Sequence, residues 1–147
     1  MCFLYGNSGV GKSYFLRTIK QKEHETYYIS VPNIKNIGLS LILTIICEEI
    51  LNVTSHHKDL YHDVNPKRFI DFFFTDNPNI LLIIDHFDHI DQATQKEIIY
   101  LLSLYPINII LSSQAQPDNN ELLYSYKIPC LSRYDVEELI NEIGHPG

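Results

Sequence analysis

Two apolar runs restrict the fold of this chain more than any other feature of its sequence. The run Ile80 to Ile84 is aliphatic throughout, and the run Ile107 to Leu111 is aliphatic apart from Asn108. A strand with one wet face alternates apolar and polar residues, whereas a continuous run is typical of a strand covered on both faces. Such strands lie in parallel sheets between two layers of helices. The runs therefore predict an α/β fold with a parallel sheet.

Helix and strand signals alternate along the whole chain. The predicted strands cover residues 1–5, 26–31, 80–84, 107–111 and 126–128, and the predicted helices cover residues 13–22, 39–51, 66–75, 91–104 and 132–143. Five strands that alternate with helices predict a three-layer αβα sandwich around a five-stranded parallel sheet. Because crossovers between parallel strands are right-handed, few topologies remain, and we expect the first strand to lie centrally.

Composition and charge exclude several classes of protein. The 147 residues, 45% hydrophobic and 20% charged, fit one globular domain over residues 1–147. With 11 basic and 18 acidic residues, binding of nucleic acid by bulk charge is not indicated. The most apolar stretch, Ile37 to Cys47, is shorter than the roughly 20 residues that span a bilayer, so we expect no membrane contact. Three scattered cysteines favour a reducing compartment, and we expect a cytoplasmic location.

A glycine-rich motif follows the first predicted strand and opens the first predicted helix. Residues 6–13 have the pattern G-x-x-x-x-G-K-S. Glycines allow successive backbone N–H groups to surround a phosphate chain, and the helix N-terminus adds further donors. Lys12 adds a positive charge for the β- and γ-phosphates, and Ser13 offers a hydroxyl to Mg²⁺. The predicted nucleotide-binding residues are Gly6, Asn7, Ser8, Gly9, Val10, Gly11, Lys12, Ser13 and Tyr14.

An aspartate ends the longer aliphatic run. Asp85 directly follows Ile84, which predicts a carboxylate at the carboxyl-terminal edge of a central strand. Open α/β sheets bind their ligands at that edge. We therefore predict that Asp85 holds Mg²⁺, directly or through water, opposite Ser13. The alternative is that Asp85 only caps the following turn.

With these two motifs the chain resembles the P-loop NTPases of the additional-strand type, namely the AAA+ ATPases and the related STAND (NACHT-like) signalling ATPases. The resemblance covers nearly the whole chain and implies a sheet of order 5-1-4-3-2, with Walker A at residues 6–13 and Walker B at residues 80–85. It also implies ATP as the nucleotide. A GTPase is disfavoured separately, because no base-reading motif of GTPases follows Asp85. An N-terminal linker and a C-terminal helical lid are expected to be missing from residues 1–147.

The residues after Asp85 depart from the AAA+ pattern. AAA+ members usually carry glutamate next, which polarises the attacking water, but this chain has His86. In NACHT-type members an acid stands three residues on, which matches Asp88. By this resemblance Asp88 is predicted to position the water. The alternative is that Asp88 is a solvated loop residue or a helix cap. His86 and His89 are either bases or plain surface residues.

A polar sequence ends the fourth predicted strand. In the resembling families a polar residue at this point senses the γ-phosphate, and Ser112 or Ser113 matches it; we name Ser113 as the predicted catalytic residue. Gln114 stands where STAND members often carry arginine, and glutamine cannot make the charged contact of an arginine. A polar strand end without a ligand is the alternative.

These features predict a domain that binds ATP/ADP with Mg²⁺, hydrolyses ATP slowly, and drives a conformational switch. One alternative is a nucleotide-binding switch with little or no hydrolysis, and another is a small P-loop kinase. None of the arginines Arg17, Arg68 and Arg133 is placed by the sequence as a finger acting within the chain. The transition state is therefore expected to need an arginine from a homo-oligomer neighbour, another partner subunit or a lid.

Overall fold

The computed structural model describes residues 1–6, 12–22, 25–53, 65–114 and 124–127, with the backbone alone at residues 12, 20–22, 53 and 124–127. The elements in chain order are β1 (Cys2–Tyr5), α1 (Lys12–Lys22), β2 (Thr26–Ser30), α2 (Leu39–Val53), α3 (Pro66–Asp76), β3 (Leu81–Asp85), a 3₁₀ turn (Phe87–His89), α4 (Gln92–Ser103), β4 (Asn108–Ser113) and β5 (Tyr124–Lys127). None of the helices in these ranges is long and apolar enough to cross a membrane.

The five strands form one parallel sheet in the order β2-β3-β4-β1-β5. Read from the other edge this is 5-1-4-3-2, which confirms the predicted fold class and strand order. Strand β1 lies between β4 and β5, and β3 lies between β2 and β4. The two apolar runs thus occupy neighbouring interior strands, because only there are both faces of a strand covered.

Helices cover the sheet on both sides, so the described residues form three layers. On one side, called the α1 face, the strand residues Leu4, Ile83 and Ile110 pack against α1. On the other side, called the three-helix face, alternate strand residues pack under α2, α3 and α4. The buried side chains of this larger cluster include Phe3, Tyr27, Ile29, Ile46, Ile50, Ile70, Phe74, Leu82, Ile84, Phe87, Ile98, Leu102 and Leu111.

Side-chain caps fix the starts of α3 and α4. The Asn65 side chain accepts a hydrogen bond from the Lys67 N–H at 2.9 Å, and Pro66 fills the first helical position, where no N–H is needed. The Asp91 side chain accepts from the Thr94 N–H at 2.8 Å in the same way. The short polar residues Asn65 and Asp91 therefore mark where α3 and α4 begin and help to orient both helices on the three-helix face.

Strand β5 differs from its sequence prediction. It covers Tyr124–Lys127 rather than 126–128, because it pairs residue for residue with Cys2–Tyr5 of β1. Pairing with a neighbour, rather than local apolarity, sets its bounds. The predicted helix at 132–143 lies outside the described residues.

Candidate functional site

The polar residues named from the sequence gather at the carboxyl-terminal edge of the sheet. Asp85 ends β3, Ser113 ends β4, and Gly6 directly follows β1. The Gly6 N–H donates to the Ser113 carbonyl oxygen at 3.2 Å, which ties the start of the glycine-rich loop to this edge. The parallel register explains the gathering, since neighbouring strands end side by side.

Asp85 is the centre of the polar network. Its side chain is buried with 1% exposure, and hydrogen-bond donors surround it. The Ser13 hydroxyl donates to Oδ2 at 3.1 Å, the Tyr28 hydroxyl donates to the same oxygen at 2.6 Å, and the His86 N–H donates to Oδ1 at 2.9 Å. The structure thus brings Ser13 and Asp85 together across 72 residues of chain, as a shared metal site requires.

Tyr28 is a member of the network that the sequence did not single out. It pairs with Ile83, two residues before Asp85, so its side chain reaches about 7 Å along the sheet to the carboxylate. Burial, and then the hydrogen bond and charge of Asp85, raise the pKa of Tyr28 well above its ordinary value, while Arg17 beside it acts in the opposite direction. The hydroxyl therefore keeps its proton and acts as a donor to Asp85.

The chain turns sharply after Asp85. His86 has φ 58° and ψ 42°, in the left-handed region that costs a non-glycine residue roughly 1–2 kcal/mol. The Gln95 side-chain amide then donates to two carbonyl oxygens of the turn, that of Phe87 at 3.2 Å and that of Ile90 at 2.7 Å. Phe87 and Ile90 are themselves buried, so the turn is stabilised both by the packing of these side chains and by the hydrogen bonds from α4.

Two histidines and Asp88 lie on this turn. The rings of His86 and His89 are stacked, with centroids 5.2 Å apart and planes 7° from parallel. His89 Nδ1 lies 2.8 Å from the Val31 carbonyl oxygen, and His86 Nε2 lies 3.7 Å from Asp85 Oδ2. Asp88 is exposed on the 3₁₀ turn. Its predicted action on water stays a prediction; the turn presents its carboxylate to solvent at the edge where Asp85 lies.

The two serines at the end of β4 have different environments. Ser112 follows the register pair Ile84–Leu111, so it lies beside Asp85, and strand alternation places it on the α1 face. It is fully buried, and its Oγ has no hydrogen-bond partner among the described residues. Ser113 is also buried, but alternation turns its side chain to the three-helix face. The geometry therefore favours Ser112 as the polar group on the α1 face beside Asp85, and the role of Ser113 stays a prediction.

The remaining predicted site residues are only partly described. Lys12 begins α1, and Tyr14 in its first turn is 51% exposed. The predicted phosphate-binding residues from Asn7 to Gly11 lie outside the described residues, as does the side chain of Lys12. Within the described ranges no group of three or more His, Cys, Asp or Glu residues is placed to hold a metal ion. A cation here would depend on one carboxylate, one hydroxyl and ligands brought by the nucleotide and water.

Comparisons with known proteins agree with this fold. A family model described as an AAA domain matches residues 1–120. No curated protein matches the chain. Among solved structures, Drosophila ORC bound to poly(dA/dT) DNA and Cdc6 (conformation 1) is similar, with a TM-score of 0.51 and 9% identity over 97% of this chain and 27% of that chain. Drosophila ORC bound to GC-rich DNA and Cdc6 gives a TM-score of 0.48, also with 9% identity and the same coverage.

The identity in the first of these structural matches is 9%, so that match shows the fold alone. The chain spans 27% of the length of the ORC chains that it matches.

Proposed function

Because the chain belongs to the AAA domain family of P-loop NTPases, we propose that it binds ATP with Mg²⁺ and hydrolyses the ATP slowly to drive a conformational switch. The observation that carries the proposal is the 3.1 Å contact between the Ser13 hydroxyl and the Asp85 carboxylate. The contact brings together α1, which follows the glycine-rich loop, and Asp85 at the sheet edge. A cation bound to a nucleotide needs a hydroxyl and a carboxylate placed together in this way.

The donor set at this contact suits Mg²⁺. Carboxylate and hydroxyl oxygens are hard ligands, which Mg²⁺ prefers. The Ser13 oxygen has lone pairs left for a cation while its O–H donates a hydrogen bond to Asp85. Burial of the Asp85 carboxylate costs free energy, which its hydrogen bonds offset only in part. A cation bound nearby would offset more of this cost. When bound, the cation would neutralise phosphate charge and help to stabilise the transferring phosphoryl group.

The chain supplies separate groups for the phosphates. The N-terminus of α1, an 11-residue helix, offers unpaired N–H donors next to the glycine-rich loop, and Lys12 stands at its start. Ser112 offers a buried hydroxyl whose oxygen is unpaired among the described residues. Leaving such a group unsatisfied costs roughly 1–3 kcal/mol, which an incoming phosphate oxygen would offset. This orphan hydroxyl is the structural reason to expect a polar ligand at the edge.

Slow turnover follows from the residues on the turn. His86 cannot supply a fixed negative charge beside the attacking water, because an imidazole is either neutral or positively charged. Asp88 is the acid that the turn offers, and we propose that it orients water once nucleotide is bound. An arginine for the transition state would come from a neighbouring subunit, either a second copy or another protein.

A nucleotide-binding switch with little hydrolysis is the second candidate function. It is favoured by one observation, namely that Asp88 is exposed while His86, not an acid, lies next to Asp85. Both functions share the nucleotide site and differ only in turnover. DNA, which the similar Drosophila ORC structures contain, is not proposed as a direct partner, since this chain has 18 acidic against 11 basic residues. A cytoplasmic location remains part of the proposal.

Phosphate release from ATP tests the proposal, with nucleotide binding measured in parallel. Asp88→Ala is expected to leave ATP binding intact and to lower turnover by roughly 10²-fold, the usual scale for a general base. Glu97→Ala, which removes an exposed acid on α4, is the matched control and should behave as wild type.

Three other outcomes decide between the alternatives. ATP binding with no phosphate release under any condition would favour the switch. Transfer to an acceptor would favour a kinase. Rapid hydrolysis that Asp88→Ala does not slow would show that another group positions the water.

A further inference from the structure

We propose that Tyr28 is a positioning residue that holds the Asp85 carboxylate in the orientation needed to bind Mg²⁺. The inference rests on the proposed function and extends it to a residue outside the two motifs. The Tyr28 hydroxyl touches neither nucleotide nor cation in this account, and it acts only through Asp85.

The carboxylate is fixed by donors from three separate parts of the chain. Ser13 comes from α1, Tyr28 from β2, and the His86 N–H from the turn that follows β3. The His86 contact is local and fixes Oδ1, so Oδ2 depends on the two distant hydroxyls. Ser13 is itself expected to hold the cation. Tyr28 is therefore the donor that keeps Oδ2 in place independently of the ligand.

The two ends of the Tyr28 side chain have separate tasks. The ring packs against the apolar cluster of the α1 face, which includes Leu4, Phe15 and Ile83. The hydroxyl extends past this cluster to the polar edge and contacts Asp85 at 2.6 Å. Phenylalanine would keep the packing and lose only the hydroxyl, which donates to Asp85 and lies beside Arg17, so the packing and positioning roles can be separated by one atom.

Loss of the donor should weaken the cation site and not the fold. Groups that orient metal ligands typically change metal affinity by about 10- to 100-fold when they are removed. Asp85 keeps two donors in Tyr28→Phe, so we expect an effect at the lower end, about tenfold. Binding of ATP in the absence of Mg²⁺ should not change, since the hydroxyl donates to Asp85, which is a predicted cation ligand and not a predicted phosphate ligand.

The experiment is a Mg²⁺ titration of the thermal stabilisation that ATP gives, at fixed ATP, with ATP binding in EDTA measured beside it. Tyr28→Phe should need about tenfold more Mg²⁺ for the half-maximal shift, with unchanged ATP binding in EDTA. Tyr27→Phe is the matched control, because Tyr27 is the neighbouring tyrosine on β2 but lies on the three-helix face. It should keep the wild-type Mg²⁺ requirement. Tyr28→Met, which also lacks a donor, should show the same rise as Tyr28→Phe.

The outcomes separate this inference from the proposed function. If wild type responds to Mg²⁺ and ATP but both Tyr28 variants keep its Mg²⁺ requirement, Tyr28 does not position Asp85 and the proposed function stands. A lower unfolding temperature without ligand, at an unchanged Mg²⁺ requirement, would show a structural role only. If wild type itself shows no Mg²⁺-dependent response to ATP, the proposed function falls and this inference falls with it.

Discussion

The two faces of the sheet differ in polarity, although the same strands form both. The three-helix face is apolar and aromatic, and its buried side chains run without a break from β2 to β4. The α1 face has a smaller apolar cluster, and towards the carboxyl-terminal edge it becomes polar at Tyr28, Asp85 and Ser112. Strand alternation separates the two, because successive side chains point to opposite faces.

This division has an energetic meaning. Each fully buried apolar side chain contributes roughly 1.5–3 kcal/mol, so the three-helix face carries most of the stability. The α1 face instead holds a buried carboxylate and a buried hydroxyl without a partner among the described residues, both of which oppose folding. Residues that weaken a fold in this way are expected where a ligand will later bind. Substitutions on the two faces should therefore have different consequences.

The largest expected effect on stability lies on the three-helix face. Phe74 is completely buried in α3, and its ring meets that of Tyr105 at 5.5 Å in an edge-on arrangement. Phe74→Ala should lower the free energy of unfolding by about 3–5 kcal/mol, measured by denaturant titration. Phe72→Ala on the same helix is the control; Phe72 is 64% exposed, so its loss should stay within about 0.5 kcal/mol. Equal losses in the two variants would contradict the assignment of stability to this face.

The α1 face should show the opposite pattern. Asp85→Asn keeps the shape of the side chain but removes the charge and one acceptor oxygen, so Mg²⁺-dependent ATP binding should weaken by about 100-fold. The free energy of unfolding should change by about 1 kcal/mol or less, since loss of a hydrogen-bonded oxygen is offset by relief of a buried charge. Asp76→Asn, at an exposed acid of α3, should change neither quantity. A large loss of stability with unchanged Mg²⁺ dependence would reverse the roles of the faces.

The turn after β3 joins the two faces and should show an intermediate effect. Gln95 of α4 holds the carbonyl oxygens of Phe87 and Ile90, so Gln95→Leu leaves two acceptors without their donor. We expect a loss of about 1–2 kcal/mol in unfolding free energy, with faster hydrogen exchange at the amides of the turn. Gln92→Leu, at the exposed start of the same helix, is the control. Unchanged exchange in the turn would show that packing alone holds it.

The smallest expected effect depends on pH and lies at the rim of the three-helix face. The Tyr105 hydroxyl donates to Asp71, and this hydrogen bond is the main reason that the pKa of Asp71 is lowered below its ordinary value, with Lys67 assisting. A carboxyl whose pKa is lower when folded contributes stability above its unfolded pKa of 3.8 and loses it as the pH falls through its folded pKa.

Tyr105→Phe should therefore cost about 1 kcal/mol at pH 7, a modest value because the Asp71 side chain is 45% exposed. The difference from wild type should shrink as the pH falls below 3.8, in unfolding measurements made between pH 7 and pH 3. A difference that stays constant over this range would mean that the hydroxyl acts by packing and not through the charge of Asp71.

Local patterns were sufficient to predict most of the described helices and strands, although β5 begins two residues earlier than predicted. The aliphatic run before Asp85 marked an interior strand, and the Asn65-Pro66 pair marked the start of α3. Both signals act over a few residues, so they can be recognised without knowing the tertiary structure. The spacing of the glycine-rich motif and Asp85 then indicated that Ser13 and Asp85 meet, and the structure brings them together.

The rest of the site depended on contacts that no local pattern records. Tyr28 reaches Asp85 only because β2 pairs with β3 in one register, which brings its hydroxyl to a residue 57 positions away in the chain. Gln95 reaches the turn because α4 lies over it, and its sequence context is that of any polar residue on a helix. The choice between Ser112 and Ser113 likewise needed the direction of β4, since a shift of one residue reverses which face a side chain takes.

Calorimetric titration with ATP measures whether the carboxyl-terminal edge of the sheet, on the α1 face, binds a nucleotide through the glycine-rich loop. Wild type should bind one ATP per chain, more tightly with Mg²⁺ than in EDTA. Lys12→Ala should weaken binding by about tenfold or more, as expected for the loss of a charge-assisted hydrogen bond. Lys96→Ala, at an exposed lysine on α4, should bind as wild type does. No binding of ATP by wild type, or equal affinity in the Lys12→Ala and wild-type chains, would contradict the account.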